Sequence, residues 1–337
     1  MILLLTTEAG DYSHIELVNW LEYYKADYCV LTGESFIVGR SSLSISDNVI
    51  KINGREITDE VNVVYYRRWA YPSNIQLVSD TVLNKGLVSN LFSESYQILH
   101  YLGKKLKNAE WIPNCSSISV NKINVLEEAK NIGLVTPRFI VSTKKNDLVE
   151  FCESCGGTVI TKAIGNYEVL QTSDSYYSSP IYTKRVSTEQ LLSLNDTVVP
   201  TLLQEEIEKS FELRIFFFDG EFFTTAIMSQ SDVTTELDSR ISSNGSFAKL
   251  VPYIIDDTLK SKLVALCENL SLNIGSIDMI VKPDGSFVFL EINPVGQITG
   301  YSTMTGRRVE KIIAEKLMEI DKEKNERRND RRTSDGW

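Results

Sequence analysis

The sequence predicts a mixed α/β fold made of more than one domain. Three observations carry that expectation. The chain opens on an apolar run, Met1–Thr6, and passes at once into a helical pattern, and this alternation recurs along its length. Two Asp-Gly pairs, Asp219-Gly220 and Asp284-Gly285, each lie between β-rich runs. That is a strong hairpin signal, because a tight primed turn needs positive φ. The length of 337 residues suits two or three domains, with an ordinary supply of apolar residues to fill their cores.

Residues 1–113 read as a small α/β domain. Met1–Thr6 is its buried first strand, too short for a signal peptide and without a basic start. Ser13 is positioned to cap a helix running to about Lys25, and Tyr28–Leu31 and Val61–Tyr66 are further strands. The second of these ends in Arg67-Arg68-Trp69, which could bind an anion or a carboxylate, or could be a solvated arginine pair beside a core strand. A long helical pattern spans about Ile75–Lys107, with Gly86 as a candidate break. Trp111–Asn114 marks a boundary.

Residues 114–200 read as a second unit. A helix at Asn121–Ile132 stops at Gly133, a strand covers Arg138–Val141, and a helix spans about Asp147–Cys155. Gly156-Gly157 turns into a strand at Thr158–Ala163, and the polar stretch Gly165–Ser179 suits a flap. Residues 201–320 read as a third unit: a strand Thr201–Ile207, the hairpin of Phe211–Phe218 with Glu221–Met228, an irregular stretch Ser229–Pro252 and a helix Asp256–Leu272. The second hairpin follows, then a helix over about Arg307–Ile320. The charged tail 321–337 has almost no apolar residues and is expected to be disordered.

The second hairpin holds the most chemistry. A two-residue loop at Asp284-Gly285 would place Pro283 opposite Ser286 and Asp278 opposite Glu291. Opposed residues share a face, and so do residues two apart. Asp278, Glu291 and Asn293 then line one face, while Ile277, Met279, Val281, Val288, Leu290 and Ile292 form the other. Three oxygen ligands on one ribbon suit a hard cation such as Mg²⁺, which leaves positions for phosphates and water.

Composition narrows the function classes. A formal charge of −10 argues against general nucleic-acid binding, which draws on basic surface. No run approaches the roughly 18–20 apolar residues that span a bilayer. Five scattered cysteines fit a reducing cytoplasm, and Cys152-x-x-Cys155 lacks the second pair of a zinc site. Two histidines make a histidine-based metal site or triad improbable. There is no P-loop G-x-x-x-x-G-K-S/T, and no G-x-G-x-x-G follows the first strand.

Lys122 and Lys162 precede the acidic hairpin, and Arg214 and Arg240 lie in the unit that holds it. Cations for phosphates and oxygens for a metal, in this order along a chain, resemble the ATP-grasp superfamily over residues 115–320. The carrying residues are Asp278 with Phe289-Leu290-Glu291-Ile292-Asn293-Pro294, the two lysines, Gln204-Glu205-Glu206-Ile207 and Glu212-x-Arg214. The chain resembles the graspetide synthetases more closely, the branch with microviridin ligases and grasp-with-spasm maturases. Tyr65–Trp69, Ser229-Gln230 with Thr235, Asp238-x-Arg240, Val251-Pro252-Tyr253, Leu272–Asp278 and Asn293–Gln297 point there. One departure is that the flap is poor in glycine, which leaves its contacts unassigned.

The resemblance implies an ATP-grasp fold with an N-terminal pre-ATP-grasp domain and the nucleotide held between two β-sheet lobes. It implies ATP and Mg²⁺ as cofactors, a ribosomal precursor peptide as partner, and a homodimer. Asp278, Glu291 and Asn293 would be the metal ligands. Lys122 and Lys162 would bind phosphates, Gln204, Glu205, Glu206 and Ile207 adenine, and Glu212 the ribose side. Arg214 and Arg240 would meet the γ-phosphate and the tetrahedral intermediate, with Asp238 orienting Arg240 or taking a proton. Leader binding would fall around Thr183–Leu194. The implied reaction activates an Asp or Glu side chain as an acyl phosphate and closes it on a Ser or Thr hydroxyl or a Lys amine. The rival readings are an ATP-grasp amino-acid ligase using the same site residues and a non-catalytic nucleotide- or peptide-binding protein.

Overall fold

The computed structural model describes residues 1–8, 12–69, 75–165, 170–171, 176–177, 183–228 and 249–334. The chain divides into two compact units: Met1–Ser119 with Ser271–Gly275 and Pro294–Trp337, and Val120–Leu270 with Ser276–Asn293.

In the first unit, strand β1 (Ile2–Thr6) leads to helix α1 (Ser13–Tyr23), strand β2 (Tyr28–Thr32) and the short helix α2 (Gly33–Ile37). Strands β3 (Leu43–Ser46), β4 (Val49–Ile52) and β5 (Arg55–Glu56) make a small antiparallel sheet. Strand β6 (Val63–Tyr66), helix α3 (Thr81–Lys105) and strand β7 (Glu110–Ile112) follow. The main sheet runs β2-β1-β6-β7, all parallel. A central parallel strand is covered on both faces, which is why β1 is a continuous apolar run with every residue buried. Leu3, Leu5, Leu31, Val64, Trp69, Leu99 and Leu102 share one core.

Gly86 does not break the long helix. Asp80 caps α3 by accepting from the Leu83 amide at 2.7 Å, and Val88, Phe92, Ser95, Leu99 and Leu102 form one buried stripe along it. A single exposed glycine costs only about 1 kcal/mol against that packing.

The second unit starts with helix α4 (Lys122–Asn131), capped by Asn121 and followed by Gly133 at φ +82°. Then come strand β8 (Phe139–Lys144), helix α5 (Lys145–Ser154) and strand β9 (Thr158–Thr161). Two short paired strands, β10 (Leu170–Gln171) and β11 (Tyr176–Tyr177), lie in the proposed flap, whose other residues fall largely outside the described ones. Strand β12 (Lys184–Ser187), helix α6 (Thr188–Leu192) and strand β13 (Thr197–Glu205) complete an antiparallel sheet in the order β12-β9-β13-β8. Leu148, Cys152, Val159, Leu191 and Leu203 form its core, so Cys152 is a small packed residue, and all five thiols are free.

The second sheet of this unit holds strand β14 (Phe211–Phe218), strand β15 (Glu221–Met228) and strand β16 (Lys249–Tyr253). Helix α7 (Asp257–Asn269), capped by Asp256, leads to strand β17 (Ile274–Val281) and strand β18 (Phe287–Asn293). The order is β16-β15-β14-β17-β18. Asp219 and Gly220 both take positive φ, 48° and 83°, so the first hairpin has the two-residue loop its sequence demands. The stretch read as irregular to Pro252 includes β16, with Pro252 opposite Thr225. Proline weakens the sequence signal for a strand, and the edge position tolerates it.

Helix α8 (Thr299–Thr305) ends at Gly306 with φ +68°, and helix α9 (Val309–Ser334) closes the chain as part of the first unit. The expected disorder from residue 321 is corrected: α9 runs on to Ser334. Polar bonds take the place of apolar packing there. The Asn62 amide donates to Asp321 Oδ1 at 2.6 Å and Asn325 Oδ1 at 2.8 Å, and Arg328 donates to Asn62 Oδ1 at 2.6 Å. Glu323–Arg327 and Lys322–Glu326 pairs lie one turn apart on its surface. Among the described residues no helix is long and apolar enough to cross a membrane.

Candidate active site

The β17–β18 ribbon carries the site, and its register differs from the simplest reading in two places. The loop has three residues, not two. Lys282 donates to Ser286 O at 2.9 Å, and Gly285 takes φ +82°. Asp284 fixes this turn by accepting from the Ser286 amide at 2.9 Å and its hydroxyl at 2.6 Å. That slips the pairing by one, so that Val281 faces Phe287 and Met279 faces Phe289. A bulge between Asp278 and Met279 then slips it back. Beyond the bulge Asp278 faces Glu291, and Ser276 faces Asn293. The two shifts cancel where the ligands lie. They do not cancel near the loop. Phe289, paired with Met279, is fully buried in place of the predicted Leu290, which stays half-buried.

The Asp284 contacts set a pH dependence. They hold its carboxyl down to about 2, first through the Ser286 hydroxyl and amide, against an ordinary value of 3.8. A depressed value means the fold favours the ionised form. The loop's contribution is full above the ordinary value and lost as pH falls through about 2. Side-chain NMR should show Asp284 titrating near 2. A midpoint at 3.8 would contradict the turn geometry.

Four groups close on the ribbon's polar face, all within the second unit. Lys162, just past β9, places Nζ 3.7 Å from Glu291 Oε2, and Lys122, the first residue of α4, places Nζ 3.9 Å from the same oxygen. Arg214 of β14 holds Asp278 Oδ1 through Nε at 2.8 Å. Asn293 donates its amide nitrogen to Glu291 Oε1 at 3.0 Å, so its side-chain oxygen is not used in that bond. Burial would push the Glu291 carboxyl up, yet Lys162, Lys122, the Asn293 bond and Arg214 together hold it below the usual value. Burial pushes the Lys162 ammonium down, and the Glu291 charge offsets part of that. The face is therefore a set of fixed charges with one cation in excess, two carboxylates against three cations.

Gln204 lies near the end of β13, 1% exposed, and neither its amide nitrogen nor its oxygen has a hydrogen-bond partner among the described residues. A buried carboxamide left open is costly and calls for an explanation such as a bound group. The purine edge of a nucleotide offers both a donor and an acceptor. Glu205 and Glu206 point elsewhere: Arg138 donates through Nε to Glu205 Oε2 at 3.2 Å, and Arg185 through Nε to Glu206 Oε1 at 2.7 Å. Ile207 follows in the link to β14. Glu212 pairs with Lys209. Sequence reading missed Lys209, Arg138 and Arg185. Only Lys209 left a signal, as a cation three residues before an acid at a strand's start. Asp238 and Arg240 lie outside the described residues.

The donor set fits Mg²⁺. Asp278, Glu291 and the Asn293 carbonyl are hard oxygens on one face, few enough to leave positions for phosphate oxygens. Among the described residues no cluster of three His, Cys, Asp or Glu side chains offers a different metal centre.

No protein-family model and no curated protein sequence matches the chain. Solved structures do. The macrocyclase MdnC of Microcystis aeruginosa MRC, solved with precursor peptide MdnA, is 23% identical, with a TM-score of 0.76 over 95% of this chain and 99% of that one. A Chryseobacterium gregarium RiPP-associated ATP-grasp ligase, solved with ADP and a leader and core peptide, is 20% identical, with a TM-score of 0.79 over 94% and 96%. The ATP-grasp ligase PsnB, complexed with minimal precursor, Mg and ADP, is 14% identical, with a TM-score of 0.73 over 95% and 97%. The chain thus has the ATP-grasp fold, in the form found in ligases solved with precursor peptides.

Proposed function

We propose that the protein is an ATP-dependent peptide macrocyclase. Its substrate is a separate precursor peptide, bound through a leader segment. An Asp or Glu side chain of the core is phosphorylated, and a Ser or Thr hydroxyl or a Lys amine of the same peptide attacks the acyl phosphate. The products are a macrolactone or macrolactam, ADP and phosphate. One observation carries this reading: Asp278, Glu291 and Asn293 share one face of a ribbon on which Lys122, Lys162 and Arg214 converge, in an ATP-grasp fold. Of the neighbours with that fold, one is solved with a precursor peptide and another with ADP and a leader and core peptide.

Carboxylate oxygen is a poor leaving group, and phosphorylation makes it a good one. Asp278, Glu291 and Asn293 would hold Mg²⁺, which supplies charge neutralisation across the transferring phosphate. Lys122 and Lys162 turn from Glu291 to the phosphates. Gln204 reads the adenine edge, with the backbone of 205–207 beside it. Arg214, paired with Asp278, would meet the γ-phosphate and the tetrahedral intermediate, and Arg240 with Asp238 is assigned the same task by resemblance. Preorganised cations aimed at developing charge are the largest catalytic contribution such a site can make. Holding both reacting groups of one peptide together contributes proximity. The leader is assigned to β12 and α6, within 183–194, where Leu192 and Leu194 are exposed. A homodimer in a reducing cytoplasm completes the proposal.

Co-expression with a short Thr/Glu-rich peptide encoded beside this protein's gene tests it. The expected product is lighter by one water per ring, and mixing the purified partners with ATP should release ADP. An unchanged peptide mass with a peptide that binds would overturn the reading.

A further inference from the structure

Strand β17 lies inside its sheet, between β14 and β18, and the side chains buried along it are otherwise apolar: Ile274, Ile277, Met279, Ile280 and Val281. Ser276 is the exception. It is 0% exposed, and its hydroxyl has no hydrogen-bond partner among the described residues. A buried hydroxyl left unpaired is costly, and a valine there would suit a central strand better. A breach of local preference at such a place points to function.

The register gives Ser276 its place. It faces Asn293 as Asp278 faces Glu291. Opposed residues share a face, and so do residues two apart, so Ser276 lies on the face of the three oxygen ligands. Ile277, between Ser276 and Asp278, belongs to the other face and is 0% exposed. Serine has the shortest side chain of the four polar residues. A short side chain suits a water on a shared ion rather than the ion itself. Mg²⁺ bound by few protein oxygens keeps several waters. The charge of the ion makes such a water a strong donor, and a serine hydroxyl can accept from it.

We propose that Ser276 is a positioning residue of the metal site, its hydroxyl accepting a hydrogen bond from a water on the Mg²⁺ held by Asp278, Glu291 and Asn293. The inference rests on the metal reading above. The hydroxyl gains its partner when the ion is bound, so what the fold loses by burying it is recovered as metal affinity.

Calorimetric titration of the full chain with ADP, once in excess EDTA and once at a fixed Mg²⁺ concentration, tests it without turnover. The wild type should bind ADP more tightly with Mg²⁺. Ser276→Ala should lose about tenfold of that gain, the lower end of what a partner just outside the ligands of a metal is worth. Its ADP affinity in EDTA should match the wild type. Its melting temperature without metal should not fall, because no hydrogen bond within the protein is removed. A folded Ser276→Ala variant that keeps the full gain overturns the proposal, and a lowered melting temperature beside that full gain would assign the hydroxyl to a structural water. Equal loss in EDTA and in Mg²⁺ also overturns it, since the hydroxyl would then meet the nucleotide. Should Ser276→Ala not fold, Ser276→Cys, which keeps the shape but hydrogen-bonds weakly, must show the loss, and a full gain there overturns the proposal equally. All these outcomes leave the nucleotide reading intact. A wild type that binds ADP alike in EDTA and Mg²⁺ would instead bring down the metal reading, and one that binds no ADP the nucleotide reading.

Discussion

Glu291→Gln is expected to lower turnover by on the order of 10²–10³, the usual cost of one group that stabilises developing charge. Glutamine keeps the shape and the oxygen facing the site but removes the charge. Two effects combine. The proposed metal set falls to a single carboxylate, Asp278. Lys122 and Lys162, both within 4 Å of Glu291 Oε2, then face each other without their shared counter-ion. These groups are 14–25% exposed, so the stability cost should lie between those of surface and buried pairs, about 1–3 kcal/mol. Binding of labelled precursor peptide should be unchanged, because the segment proposed for the leader, β12 and α6, does not include Glu291. The checks are ADP release, a thermal melt and peptide anisotropy on the same preparation. Undiminished turnover would show that Glu291 is not a metal ligand.

Phe289→Ala should cost about 3–5 kcal/mol, as expected for emptying a closed aromatic site. Leu290→Ala should cost less than half as much. The contrast follows from the bulge at Asp278, which turns Phe289 rather than Leu290 into the core. Urea unfolding midpoints of the two variants decide it. Equal losses would mean that the ribbon runs without a bulge, and that the match of Asp278 to Glu291 has another origin.

The sequence carried a large part of the fold because its signals were local. Asn121 and Asp256 stand at the starts of the helices expected there and cap them, whereas Ser13, the expected cap of α1, is its first helical residue and Tyr12 precedes it with no side-chain cap. Asp219-Gly220 forms its turn as written. The errors arose where local signals conflicted with something distant. The polar stretch beyond 320 cannot form a core, but Asn62 supplies it with partners from far along the chain. Pro252 argued against a strand, and the sheet edge accepts it. At the site, the shared face of Asp278, Glu291 and Asn293 was legible from alternation alone, while the three-residue loop and the compensating bulge were not. A sequence pattern constrains the sum of such slips better than either one.

By itself the sequence determined the order of the candidate residues: lysine, lysine, arginine, then acids and an amide on a ribbon. Side-chain type and alternation are local properties, and they survive without coordinates. Only the tertiary structure decided that Lys122 and Lys162 share one carboxylate oxygen, that Arg214 takes the other acid, that Gln204 is buried with open hydrogen-bonding groups and that Lys209 turns back on Glu212. These are distances between elements far apart in the chain. They are fixed by how the sheets pack, and no spacing rule along the sequence specifies them.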